Sequence, residues 1–295
     1  MRILLTILVF IFAPVLTEQG LQIGEININN QKIKIMKMNL NNPAFLQMAG
    51  NAKAEEYISF VDASGSPQIY QLSAIGDVSV VSTYNGVQTT QLLTSPNEET
   101  VNIQSDPNTQ VFLYGKITKL NCDPGAGMFT DFTTLDVTKA KSLTYLSCYD
   151  NQLISLDVSA NTELIYLNCS NNQLTSLDVS ASTELTNLKC NNNQLTSLDV
   201  SASTKLTLLS CNENQLTSLD VSANTELTYL DCNNNEDVTT IKAVAVYSDV
   251  ASAIASLITD ATSVDGTVTL RQGDEFNQTI IDAAMDKGWD VQYYQ

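Results

Sequence analysis

LTYLSCYDNQLISLDVSANTE, residues 143–163, is followed without a break by LIYLNCSNNQLTSLDVSASTE from Leu164, LTNLKCNNNQLTSLDVSASTK from Leu185 and LTLLSCNENQLTSLDVSANTE from Leu206. Cys148, Cys169, Cys190, Cys211 and Cys232 fall 21 residues apart. A further copy opens at Leu227 and loses the pattern after Asn235. An earlier one runs from Ile117 through Leu120 and Cys122 to Leu135-Asp136-Val137, stretched by five residues around Pro124-Gly125. A fixed period of this length means a solenoid, in which each coil buries its apolar side only against its neighbours.

Within one coil, Leu146 and Cys148 alternate with Tyr145, Ser147 and Tyr149, the two-residue period of a strand with one buried face. Leu153, Leu156 and Val158 then point inward from the return side. Asn151, Asn172, Asn193, Asn214 and Asn235 form a second row at the same period. The combined pattern, L-x-x-L-x-C-x-x-N-x-L-x-x-L, resembles the leucine-rich repeat, with Cys in the third apolar slot. The resemblance covers roughly residues 117–241. It points to the short-repeat bacterial type of secreted and surface proteins, internalin-like in general class. It implies that the Asn row bonds backbone groups at the turn after each strand. The expected fold is α/β: a right-handed solenoid over 117–241 with one parallel strand per 21-residue coil. An N-terminal β domain precedes it and a C-terminal β/α cap follows.

The flanks are read more coarsely. Residues 1–17 pair Arg2 with an uncharged apolar run, Ile3 to Leu16, too short to span a bilayer comfortably. They read as a signal peptide cleaved after Thr17, or else as an apolar first strand of a protein that is not exported. Residues 18–116 hold alternating runs at Lys32–Ile35, Tyr57–Asp62 and Ile69–Leu72, then Ser79–Tyr84 and Val87–Leu93 flanking Asn85-Gly86, a strong hairpin signal. They form a small β domain or an extended N-terminal cap, entering the first coil through Val111–Tyr114. Residues 242–295 alternate helical and strand-like segments: Ser248–Thr259, Gly266–Leu270, Phe276–Lys287 and Trp289–Tyr293.

Thirty-two acidic against fourteen basic residues give a formal charge of −18. A surface that negative repels nucleic acid and anionic lipid, and no membrane insertion is expected once the signal is removed. With no histidine in the chain, a Ser or Cys nucleophile lacks its usual base, and the protein reads as no enzyme, with no cofactor. The Cys row reads as buried thiols without disulfides, because parallel Cβ vectors do not converge. A straight row does not make the tetrahedron zinc needs, so no metal is expected there. Asp136, Asp157, Asp178, Asp199 and Asp220 form a carboxylate ladder. Either the following turns donate hydrogen bonds to it, or calcium bridges the coils.

The repeats vary in one place. Residues 164–184 and 185–205 share 16 of 21 residues, and four of the five differences fall on strand positions of solvent-facing phase: Ile165/Thr186, Tyr166/Asn187, Asn168/Lys189 and Ser170/Asn191. A fixed frame with a varied face suits a concave binding surface. Duplication followed by drift at unconstrained sites is the plainer account. The expected ligand contacts are Tyr145, Tyr166, Asn187, Lys189, Leu208 and Tyr229. The reading is an exported recognition module, secreted or at the cell surface, that takes a protein or a glycan. The alternative is a structural component of a surface layer or a virion appendage.

Overall fold

A computed structural model describes residues 22–28, 31–37, 56–64, 68–103, 105–123, 131–235, 238–243, 248–261, 266–271 and 277–294. The expected signal peptide lies outside them. The chain divides into two compact units, Met1–Lys53 and Ala54–Gln295. In the first, β1 (Gln22–Ile28) and β2 (Gln31–Lys37) pair antiparallel from Gln22↔Lys37 to Ile28↔Gln31.

The second unit opens with antiparallel strands: β3 (Tyr57–Asp62), β4 (Gln68–Tyr84), β5 (Val87–Leu93), β6 (Glu99–Asn102), β7 (Gln110–Asn121) and β8 (Phe132–Asp136). Asn85 and Gly86, both at positive φ, close the β4–β5 hairpin as the dipeptide implies. β3 and β4 are not paired with each other, because β7 lies between them: β3 pairs β7 and β8, and β4 pairs β5, β6 and β7. β7 also turns to parallel pairing at its far end, where Leu120 sits beside Leu146. The boundary expected at 116/117 therefore falls inside a strand, and one sheet runs from the antiparallel strands into the repeats.

Each repeat contributes one short strand to that sheet: β9 (Tyr145–Ser147), β10 (Tyr166–Asn168), β11 (Asn187–Lys189) and β12 (Leu208–Ser210). Within the coil that opens at Leu206, β13 (Ser218–Asp220) forms on the return side, and β14 (Tyr229–Asp231) ends the repeat sheet. Neighbours are parallel and exactly repeat-matched, Leu146, Leu167, Leu188, Leu209 and Leu230 standing side by side. These leucines, the six Cys, and Leu153, Leu156 and Val158 with their equivalents make one continuous core with Phe60 and Phe132. The two phenyl rings stack at 4.2 Å and close the first coil.

The C-terminal residues change sides. β15 (Thr240–Ala243), α1 (Ser248–Asp260), β16 (Thr267–Arg271), α2 (Asn277–Lys287) and β17 (Asp290–Tyr294) follow, and the strands build a second parallel sheet, β13-β15-β16-β17. That sheet continues the return side of the coil, not the Tyr-bearing side. On the Tyr-bearing side α1 takes the place of a further strand: Val250, Ile254, Leu257 and Ile258 are buried, and the Cys232 thiol donates to the Ala253 carbonyl at 3.6 Å. No helix among the described residues is long and apolar enough to cross a membrane.

Candidate functional site

The frame comes first, because it fixes where the variable side chains stand. Asn172 donates through Nδ2 to the carbonyls of Cys148, Cys169 and Ser170 at 2.9, 3.1 and 3.1 Å. Its Oδ1 accepts the amide of Leu153 at 3.0 Å. One buried side chain thus ties the end of its own strand to the preceding coil, and Asn151, Asn193, Asn214 and Asn235 repeat the arrangement. With that ladder and the parallel strand of each period, the pattern of leucines is accounted for. This is a leucine-rich-repeat solenoid.

No family model matches the chain, and no curated protein matches it. Among solved structures it is similar to the functional domain of InlJ from Listeria monocytogenes, which includes a cysteine ladder. The two are 30% identical over 60% of this chain and 43% of that one, with a TM-score of 0.33. It is also similar to a leucine-rich-repeat protein of Leptospira interrogans, at 18% identity over 55% of this chain and 46% of that one, with a TM-score of 0.35. The chain thus spans under half the length of either.

All six cysteines of the solenoid are buried. Burial pushes every thiol up, those of Cys169 and Cys211 to about 12. At neutral pH they are small apolar side chains, not nucleophiles. The aspartate row faces solvent on the return side, and each Oδ1 accepts the amide two residues on: Asp157 from Ser159, Asp178 from Ser180, Asp199 from Ser201, all at 2.9 Å. Hydrogen bonds from those serines, side chain first and amide second, hold the three carboxyls below the usual range. The row is a series of Asx turns.

On the sheet's outer side the register lines up Lys119, Tyr145, Tyr166, Asn187, Leu208 and Tyr229 in a single column. Lys189 occupies the next column, between Asn168 and Ser210. All six expected contact residues therefore share one surface. Their exposure differs from the expectation of open strand positions. Tyr145 and Tyr166 are half-buried because their rings stack on each other, centroids 4.3 Å apart and planes 3° from parallel. The Lys119 ammonium caps the far face of Tyr145 at 4.7 Å from the ring centroid while bridging to Glu98 at 2.9 Å. Burial and the adjacent Tyr166 raise the Tyr145 hydroxyl well above 10, so it remains a donor. Tyr229 is 47% exposed, and Ile165, at the strand's edge, 46%.

The second column is corrected more sharply. Ser147, Asn168, Ser170 and Ser210 are buried, while Lys189 and Asp231 are half-buried. A polar lattice explains why. Ser147 donates to Asp123 at 2.6 Å, Ser170 to Asn191 at 2.5 Å and Ser210 to Asn212 at 2.9 Å. Variation at the buried positions exchanges partners within this lattice. Asp123 was not foreseen. Burial pushes its carboxyl up, and Ser147, the Tyr149 amide and the charge of Lys189 partly offset that. Lys119 and Asp123 occupy the same phase in the stretched first copy as Tyr145 and Tyr149 do in the next, so matching Leu120 to Leu146 would have found both.

Proposed function

We propose that the chain is an exported recognition module, secreted or held at the cell surface, that takes a protein or a glycan on the outer face of the repeat sheet. The single observation that carries this is the column from Lys119 to Tyr229. It concentrates large amphipathic side chains on a rigid floor while the rest of each coil is nearly invariant. Rigid Tyr lowers the entropic cost of binding and offers apolar area beside a hydroxyl.

The geometry favours a flat group. Tyr145 and Lys119 occupy one side of the stack, so the ring face free for a ligand is the side of Tyr166 turned toward Asn187. From Tyr166 to Leu208 is two strand spacings, about 9.6 Å. With the shorter Asn187 between them, that gap admits one more ring in continuation of the stack. Lys189 stands beside the gap and suits a ligand acceptor or carboxylate. An aromatic side chain and a sugar ring both meet these demands. Export rests on the apolar run from Ile3 to Leu16.

A glycan and protein array probed with the full chain tests the reading. Binders should be found that are lost together in Tyr166→Ala/Tyr229→Ala and weakened in Lys189→Ala. An array with no binder, or binders indifferent to all three substitutions, would contradict it.

A further inference from the structure

Away from the repeats, the β4–β5 hairpin presents an unusual edge. β5 pairs only β4 among the described residues, and from Val87 to Gln91 every side chain is exposed, with Leu92 62% exposed. Edge strands are ordinarily protected by charge, proline or a bulge. Here none of the three occurs: residues 87–93 read VQTTQLL, residues 78–97 carry no charged side chain in a chain of formal charge −18, and the β4–β5 register is unbroken. The hairpin is also held rigid. Asp106 accepts the amides of Asn85 and Gly86 at its tip at 2.7 and 2.8 Å, and Asp77 accepts that of Ser95 at its base at 3.1 Å.

Parity decides which groups are free. Tyr84 and Val87 flank a two-residue turn with both central φ positive, so they form a hydrogen-bonded pair, and bonded and non-bonded pairs alternate from there. Val87, Thr89, Gln91 and Leu93 direct their amides and carbonyls to β4. Gln88, Thr90 and Leu92 direct theirs outward. An antiparallel twin of β5 about a two-fold axis at Thr90 sets Gln88 opposite Leu92 and Thr90 opposite Thr90, so each outward pair exchanges both of its N–H···O bonds. The arrangement is self-complementary, uses up the edge and closes as a dimer. The absence of charge is what allows two strongly acidic molecules to meet there.

We infer that β5 is a self-association edge, joining two copies of this chain in a continuous antiparallel ribbon β4–β5–β5–β4. This holds whether or not the Tyr column binds a ligand. Because the approaching bodies are both acidic, raising salt strengthens the dimer by screening their repulsion.

Sedimentation of the full chain over a concentration series tests it, with a monomer–dimer equilibrium that shifts toward dimer at high salt as the expected result. Thr90→Pro should give a monomer at every concentration. Its lost amide faces the free edge and not β4, so the hairpin and the melting temperature survive. Thr90→Lys, which sets like charges opposite each other, should weaken association at least tenfold. Thr90→Cys should form an intermolecular disulfide readily, since bonded antiparallel partners place their Cα atoms about 5.5 Å apart. Val87→Cys should not, being opposite Leu93. A wild-type monomer at all concentrations, a dimer that persists in Thr90→Pro, or equal cross-linking at Val87 and Thr90 would overturn the inference. So would amides of Gln88, Thr90 and Leu92 that resist hydrogen exchange equally at every dilution, which would mean the chain covers its own edge.

Discussion

Asn193 bonds four backbone groups, the amide of Leu174 and the carbonyls of Cys169, Cys190 and Asn191. The three carbonyls also accept from Asn172 Nδ2, Asn214 Nδ2 and the Asn171 amide. Asn193→Ala leaves the Leu174 amide without its acceptor, and an orphaned buried group costs about 1–3 kcal/mol. The substitution should lower the unfolding free energy by about 2 kcal/mol in urea titrations, more than any change on the Tyr column. The thiols give a second prediction at this scale. Cys169 and Cys211 are raised to about 12 in the fold, above the ordinary value near 9. Between those values the unfolded chain loses protons that the folded chain retains. Stability is therefore intact below about pH 9 and falls as pH rises toward 12, by up to about 1.4 kcal/mol per pH unit for each such thiol. Unfolding measured across that range should show a slope that flattens in Cys169→Ala/Cys211→Ala; an unchanged slope would refute the assignment. The roles of the Asn and Cys rows were legible from period alone. The burial of Ser147, Asn168 and Ser210 was not, because alternation says which side of a strand a residue takes and not whether a neighbour covers it.

At the scale of the element, each strand ends in a turn whose third residue has positive φ: Asp150, Asn171, Asn192, Glu213 and Asn234, between 53° and 55°. Asn adopts that conformation at less cost than Glu, whose side chain has no short polar group to bond locally. Glu213→Asn should stabilise the coil that opens at Leu206 by about 0.5 kcal/mol, visible as a higher melting temperature. A drop in melting temperature would show that Glu213 makes a compensating interaction. The Asn85-Gly86 turn forms where the dipeptide implies, but the runs Ile69–Leu72 and Ser79–Tyr84, read as separate, belong to one strand, Gln68–Tyr84. The strands' partners were less legible. Nothing in the alternation of Tyr57–Asp62 announces that β7 will separate it from β4. Nothing in Thr267–Arg271 says that its neighbours lie on the return side of the coil. Pairing over long separations is settled by whole-sheet packing, which local periodicity does not encode.

For the molecule as a whole, the solenoid is a frame that holds one face still. The frame was readable because its coils repeat. The face was readable only in part, because the stretched first copy hid Lys119 and Asp123 behind five extra residues, and because stacking turned two of the expected open tyrosines edge-on. That stacking changes one expectation. Tyr166→Ala should cost about 1 kcal/mol of stability, the worth of an aromatic pair, whereas Tyr229→Ala should cost almost none. The most direct test is the affinity of an array-identified ligand, measured by calorimetry for Tyr166→Ala/Tyr229→Ala and for Asp178→Ala/Glu184→Ala, two exposed acids off the Tyr column. The first variant should bind at least about tenfold more weakly, a loss of about 1.4 kcal/mol, and the second should bind as the wild type does. Unchanged affinity in the Tyr variant, with binding abolished in the acid variant, would contradict the account.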